Sequence, residues 1–270
     1  VTQTAPDPAA VAASLADWWR LAGVTFDEPP PAPMQARTPT PVRPPGPAVV
    51  RAAPGRPAAA DALSQARAIA AAAADLEGLR AAIAAFDGCP LKATATQAVF
   101  SAGVPGAPVM LVGEAPGREE DEAGAPFVGK SGQLLDRMLA TIGVSRTSNL
   151  YIANVIPWRP PGNRTPSPEE IAVCLPFIRR QIALARPRVL VFCGGVAAQA
   201  MLGTADGIMK LRGRWTDWRG NDVDAPIPAI AILHPAYLLR RPQDKARAWT
   251  DLLSLEAKLT QLGIALTPSV

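Results

Sequence analysis

The chain predicts an α/β fold, a three-layer α/β/α sandwich around a central, mainly parallel four-stranded sheet. Three observations carry this. Four short apolar runs, at residues 109–113, 150–157, 189–194 and 227–234, have the length of strands. Segments with apolar residues at helical spacing lie between them, at 132–142, 168–185 and 197–202. Strands that alternate with helices imply a parallel sheet covered on both faces. In such a sheet the carboxyl ends of the strands gather on one edge, so Gly113, Asn154 and His234 can meet although they are distant in sequence.

Taken in order, residues 7–24 read as a helix, with Pro8 near its start and Val11, Leu15, Trp18, Trp19 and Leu21 on a rough apolar face. The two tryptophans suit a core or docking surface better than a stacking platform for bases. Residues 28–58 are dense in proline and alanine, the composition of an extended, disordered linker. Arg37, Arg43, Arg51 and Arg56 dot this tether. An alanine-rich helix is expected over 59–86, with Leu63, Ile69, Leu76, Leu79 and Ile83 at its spacing. The division is thus an N-terminal helix (1–27), a linker (28–58) and one compact domain (59–270), closed by a helix over 245–262. Within the domain, the strand at 109–113 runs into a loop rich in glycine, proline and acids, and then into a helix carrying Leu134, Leu135, Met138 and Leu139.

The 270 residues are 49% hydrophobic and 19% charged, enough for one sizeable core. A formal charge of +4 permits a polyanionic partner without demanding one. Cys89, Cys174 and Cys193 are too few and too widely spaced for a disulfide framework, which suits a reducing compartment. The start lacks the basic and apolar regions of a signal peptide, and no apolar run approaches the ~20 residues of a membrane helix. A cytoplasmic monomer is expected.

Two motifs invite chemistry. Gly124, Gly129, Lys130 and Ser131 match the phosphate-cradling G-x-x-x-x-G-K-[ST] pattern. That pattern needs a buried strand before its first glycine, and the acidic residues 118–123 cannot supply one. His234, the single histidine, ends an apolar strand and precedes Pro235. A lone histidine is commonly a satisfied core or surface residue, and a strand asparagine such as Asn154 is as readily satisfied by backbone groups. One histidine excludes any multi-histidine metal site.

The stretch GEAPGREEDEAGAPFVGKSGQLLD resembles the first signature of the family 4 uracil-DNA glycosylases, and HPAYLLR resembles the second. The resemblance covers about residues 89–262 and implies excision of uracil from DNA by hydrolysis of the N-glycosidic bond. It implies a uracil pocket of Gly113, Ala115, Phe127, Asn154 and His234. His234 would hydrogen-bond uracil O2, steadying charge that develops as the bond breaks. Asn154 would donate to O4 and accept from N3–H, a pattern that cytosine reverses. Phe127 would stack on the extruded base. Glu114, Glu120 and Asp121 match acidic positions, one of which should orient the attacking water or favour the cationic sugar. Ala115 stands where other glycosylases of this fold carry a catalytic aspartate. Ser131, Arg159, Arg164, Leu238, Arg240 and Arg241 are the expected DNA contacts, with Leu238 in the run that should wedge into the base stack.

The chain departs from that family in its cysteines. Most members hold an iron–sulfur cluster through four of them; here two of the four positions are Phe86 and Trp158, leaving Cys89 and Cys174. Two thiolates do not complete such a site, so no cofactor is expected. A related branch captures DNA covalently through a histidine placed where this chain has Pro161, Gly162, Asn163 and Arg164, so turnover is expected. The rival readings are a uracil- or abasic-DNA binder and a P-loop nucleotide hydrolase.

Overall fold

The computed structural model describes residues 59–220 and 223–266. The expected helix at 7–24 and linker at 28–58 lie outside the described residues. The alanine-rich segment forms two helices, α1 (Ala59–Ala72) and α2 (Leu76–Ala85), where one was expected. The break has one local cause and one distant cause. Asp75 caps α2, its Oδ1 accepting from the Gly78 N–H at 2.7 Å. Arg180 takes the exposed end of α1, donating to the Ala73 carbonyl from both Nε and Nη2.

The sheet has six strands where four were expected. They are β1 (Ala102–Gly103), β2 (Val109–Gly113), β3 (Leu150–Asn154), β4 (Val189–Cys193), β5 (Trp215–Trp218) and β6 (Ile227–Ile232), in the order β1-β3-β2-β4-β6-β5. The four expected strands are the parallel centre, and β1 and β5 add antiparallel edges. Both edges are short, and β5 is half exposed, so neither carries the apolar run that announces a buried strand. Every residue of β2, β3 and β4 is buried, and alternate side chains feed two cores. Met110, Val112, Tyr151 and Phe192 pack with α1, α2 and α5 (Pro168–Ala185) on one face. Leu111, Ile152, Val191 and Ile232 pack with α4 (Lys130–Ala140) and α9 (Lys245–Gln261) on the other. These are the three layers. The start of α5 is set by Ser167 and Glu170, which form a reciprocal capping box ahead of Pro168.

The acidic run does not remain a loop. Residues Arg118–Ala123 form a short helix, α3, ended by Gly124 at φ 72°. Acids at a helix start oppose its positive end, and Glu120 reaches back so that its Oε2 accepts from the Gly117 N–H at 3.1 Å. The remaining helices are α6 (Gly195–Leu202), α7 (Ile208–Leu211) and α8 (Pro235–Arg240). No described helix is long and apolar enough to cross a membrane.

Candidate active site

The chain order places a switch point between β2 and β4. From β2 it steps to β3 on one side and then crosses to β4 and β6 on the other. Ligand crevices form outside the carboxyl ends of strands at such a point. The register levels those ends: Gly113 pairs with Asn154, and Cys193 with Ile232. A cavity of about 850 Å³ opens there, walled by Glu114, Ala115, Phe127, Asn154 and His234 among others. Gly113 lies behind that wall rather than in it: a side chain there would overlap the Asn154 amide and stand 2.7 Å from the Phe127 ring.

His234 caps α8. The Ala236 N–H donates to His234 Nδ1 at 3.1 Å. A neutral imidazole that accepts at Nδ1 carries its proton on Nε2, so the ring offers the cavity one N–H donor. Burial first, and then the Arg240 charge, lower its pKa to about 4, against a smaller opposing pull from Glu120. The ring is therefore neutral at pH 7. It stacks on Phe127, with centroids 5.5 Å apart and planes inclined by 29°. Gly194, at φ 98°, lets β4 end against the imidazole, its missing Cβ lying 3.2 Å from that of His234.

The three acids part company. Asp121 is buried away from the cavity. Its Oδ1 accepts from the Thr96 N–H at 2.9 Å and its Oδ2 from the Thr96 hydroxyl at 2.9 Å. Its carboxylate ties α3 to the loop before β1, and a catalytic role for Asp121 is corrected on that ground. Glu120 borders the cavity, but both of its oxygens are engaged: Oε2 by Gly117, and Oε1 by the Val128 and Gly129 N–H groups, each at 3.0 Å. Glu114 lines the cavity, and no hydrogen bond or ion pair holds its carboxyl among the described residues. Burial raises its pKa above the ordinary value.

The expected DNA contacts divide as well. Ser131, Arg164 and Arg240 stand in the cavity wall. Arg159 lies beside it, its Nε donating to Asn163 Oδ1 at 2.7 Å. Arg164 is also held bidentately by Glu170, at 2.9 and 2.7 Å. Arg241 lies 6.0 Å from the Tyr237 ring centroid. Leu238 is a correction: it is fully buried in the core, whereas Leu239 is 47% exposed. A wedge at Leu238 would require unpacking α8. The cavity wall also holds Lys130 and Tyr237, which were not among the expected site residues. The G-K-S run was a signal for Lys130, which lines the cavity at the start of α4. That run opens a helix preceded by α3 and a turn, not by a strand, so the context of a P-loop is missing.

Cys89 and Cys174 are buried, with their sulfurs 3.8 Å apart. Phe86 and Trp158 fill the neighbouring space, with centroids 6.4 Å apart, and Phe177 packs edge-on to Phe86 at 5.1 Å. Cys193 belongs to the opposite core. A four-thiolate iron–sulfur site does not fit these residues.

Residues 100–253 match the Uracil DNA glycosylase superfamily. The chain belongs to that superfamily. It is 38% identical over 182 residues to the type-4 uracil-DNA glycosylase of Pyrobaculum aerophilum, covering 66% of this chain and 91% of that protein. The type-4 uracil-DNA glycosylase of Thermotoga maritima is 41% identical, over 59% of this chain and 80% of its own length. That of Archaeoglobus fulgidus is 42% identical, over 57% and 78%. In this glycosylase-superfamily chain, a neutral histidine, a strand-end asparagine and a stacked aromatic share one cavity.

Proposed function

We propose that the protein is a monofunctional uracil-DNA glycosylase that extrudes uracil into this cavity and hydrolyses its N-glycosidic bond, leaving an abasic site. The observation that carries this is the setting of His234, which lines the cavity and accepts at Nδ1 from the Ala236 N–H, leaving Nε2–H to donate. As the bond breaks, the sugar gains oxocarbenium character and the departing base gains negative charge. A preorganised neutral Nε2–H meets that charge only as it develops, which lowers the barrier without strengthening ground-state binding. Asn154 reads the base, because its amide can donate to O4 while accepting from N3–H. Phe127 returns part of the unstacking cost of about a few kcal/mol. Glu114 is the acid we assign to the water and the cationic sugar, since Glu120 and Asp121 are spent on backbone and side-chain partners.

Ser131, Arg164 and Arg240 at the mouth suit phosphate contacts, and the exposed Leu239 suits the wedge. The mismatch between the cysteine set and a four-thiolate site supports a cluster-free enzyme. The lack of a histidine in the turn at Pro161–Asn163 supports turnover over covalent capture. The buried cysteines form no disulfide among the described residues, which is consistent with a reducing, cytoplasmic setting.

The test is a uracil-containing oligonucleotide incubated with the protein and then treated with alkali. Strand breakage at the uracil supports the enzyme. Retention of the oligonucleotide without breakage makes the protein a binder and sinks the reading.

A further inference from the structure

Phe127 holds a backbone conformation that its own side chain resists. Its φ is 55°, in the left-handed region where a Cβ crowds the following carbonyl and a bulky residue is an outlier. Glycine would adopt it freely, but glycine has no ring to stack on a base. The strain has to be held from outside, and two side chains do so. Glu120 Oε1 accepts from the Val128 and Gly129 N–H groups. From the other side Arg146, in the loop between α4 and β3, donates from Nη1 to the Pro126 carbonyl at 3.2 Å and from Nη2 to the Phe127 carbonyl at 2.9 Å. Each residue from 126 to 129 thus has a backbone group gripped. Arg146 is anchored in turn by Asp136 on α4, its Nε donating to Oδ1 at 2.9 Å. Gly132 lets that helix press on the same peptide, since a side chain there would overlap the Phe127 carbonyl.

We infer that Arg146, braced by Asp136, is a positioning residue that keeps Phe127 in its left-handed conformation, so that the stacking ring stands against His234 before a base arrives. This rests on the glycosylase reading above. Arg146 is not part of the cavity wall, so it acts through Phe127. Without the clamp, residues 126–129 relax toward ordinary φ and each base must order the ring afresh. The loss falls on the rate of the bound complex. DNA affinity stays, because phosphate contacts at the mouth supply most of it.

Arg146→Ala is expected to lower the single-turnover excision rate roughly tenfold to hundredfold, the scale of a ~1 Å misplacement, with DNA Kd unchanged within about twofold. Arg146→Lys keeps the charge but not the fork and recovers little. Combination with Phe127→Ala decides the matter. In that background Arg146→Ala should cost less than about twofold, because its target is gone. Millimolar guanidinium should partly restore Arg146→Ala when Phe127 is present, and not when it is absent. Rate losses that multiply independently would overturn the inference. Should Arg146→Ala fail to fold, Asp136→Asn enters the same cycle. A crystal structure of whichever variant folds reads φ at Phe127 directly, and a value still near +55° sinks the clamp whatever the activity. A wild-type protein that releases no uracil would sink the functional reading and leave that structural result to judge Arg146.

Discussion

Gly113→Ala puts a methyl group behind the Asn154 and Phe127 side chains of the cavity wall. Its Cβ would stand 2.7 Å from Phe127 Cε2 and Cζ and closer still to Asn154 Oδ1, where ordinary contact begins at 3.4 Å. The ring must retreat by 0.7 Å (3.4 less 2.7), and the amide oxygen farther. The strand cannot yield instead. Gly113 is paired with Asn154, its carbonyl accepts from the Val155 N–H at 2.9 Å, and every residue of β2 is buried. Overpacking of this kind costs about 1–3 kcal/mol of stability, which for a domain of this size lowers Tm by roughly 3–10 °C. The damage to catalysis is larger in proportion, because both base-reading groups move together. A misplacement near 1 Å costs ~10²-fold, so kcat/KM should fall by about two orders of magnitude, or ~2.7 kcal/mol. Single-turnover release of uracil from an oligonucleotide measures it, with cytosine release as the selectivity check and a melting curve beside each variant. Gly207→Ala is the control, since nothing lies within 4 Å of its Cβ position. A Gly113→Ala enzyme that keeps both the wild-type rate within about threefold and full rejection of cytosine would refute the packing argument.

His234 also makes a stability prediction. Its folded pKa is about 4 against an ordinary 6.5. The unfolded chain therefore binds the proton first as pH falls. The group's contribution is complete above pH 6.5 and is withdrawn down to about pH 4, a loss of roughly 3 kcal/mol. His234→Gln should flatten that part of the Tm–pH curve, and an unchanged curve would count against the buried neutral ring. His234→Ala should cut excision by ~10²–10³-fold, the usual cost of one oxyanion donor. Glu114→Gln should remove most of the rate. In the wild type the acid limb should lie above pH 4.5, because burial raises that carboxyl and the ionised form does the work; a limb that persists in the variant assigns the water to another group. Leu238→Ala should destabilise the fold by about 2–5 kcal/mol through a core cavity, while Leu239→Ala should leave Tm unchanged and slow excision from duplex DNA. The purified protein should be colourless and iron-free by metal analysis, and stoichiometric iron would overturn the reading of the Phe86–Trp158 packing.

Much of the site was readable before any fold was known, because its parts are local. Gly113 closes an apolar run and ends β2, and His234 follows the apolar run of β6; Asn154 lay inside the strand expected at 150–157, which stops at Asn154 itself. The helix Pro168–Ala185 begins and ends where its capping serine, N1 proline and apolar spacing put it. Other features fell outside that reach. The split of the alanine-rich helix turns on Arg180, 107 residues from its acceptor at Ala73. The edge strand β5 carries Trp215 and Trp218 around two exposed residues, too short a pattern to separate from a loop. Leu238 and Leu239 are adjacent and chemically alike, and only the rotation of α8 against the core decides which faces water.

The acids show the same division most plainly. The chain alone announces a cluster of carboxylates beside a glycine-rich turn, together with the strand–helix alternation that must deliver them to one sheet edge. Periodicity and capping act over a few residues, so they are written in the order of the side chains. Which carboxylate remains free was decided only in three dimensions. Asp121 is taken by Thr96, 25 residues away, and Glu120 by the backbone of Val128 and Gly129. The strained φ of Phe127 is likewise held by a partner that folding brings to it, Arg146, 19 residues away, since a hydrogen bond depends on distance in space and not along the chain, whereas the tautomer of His234 is set two residues on by Ala236.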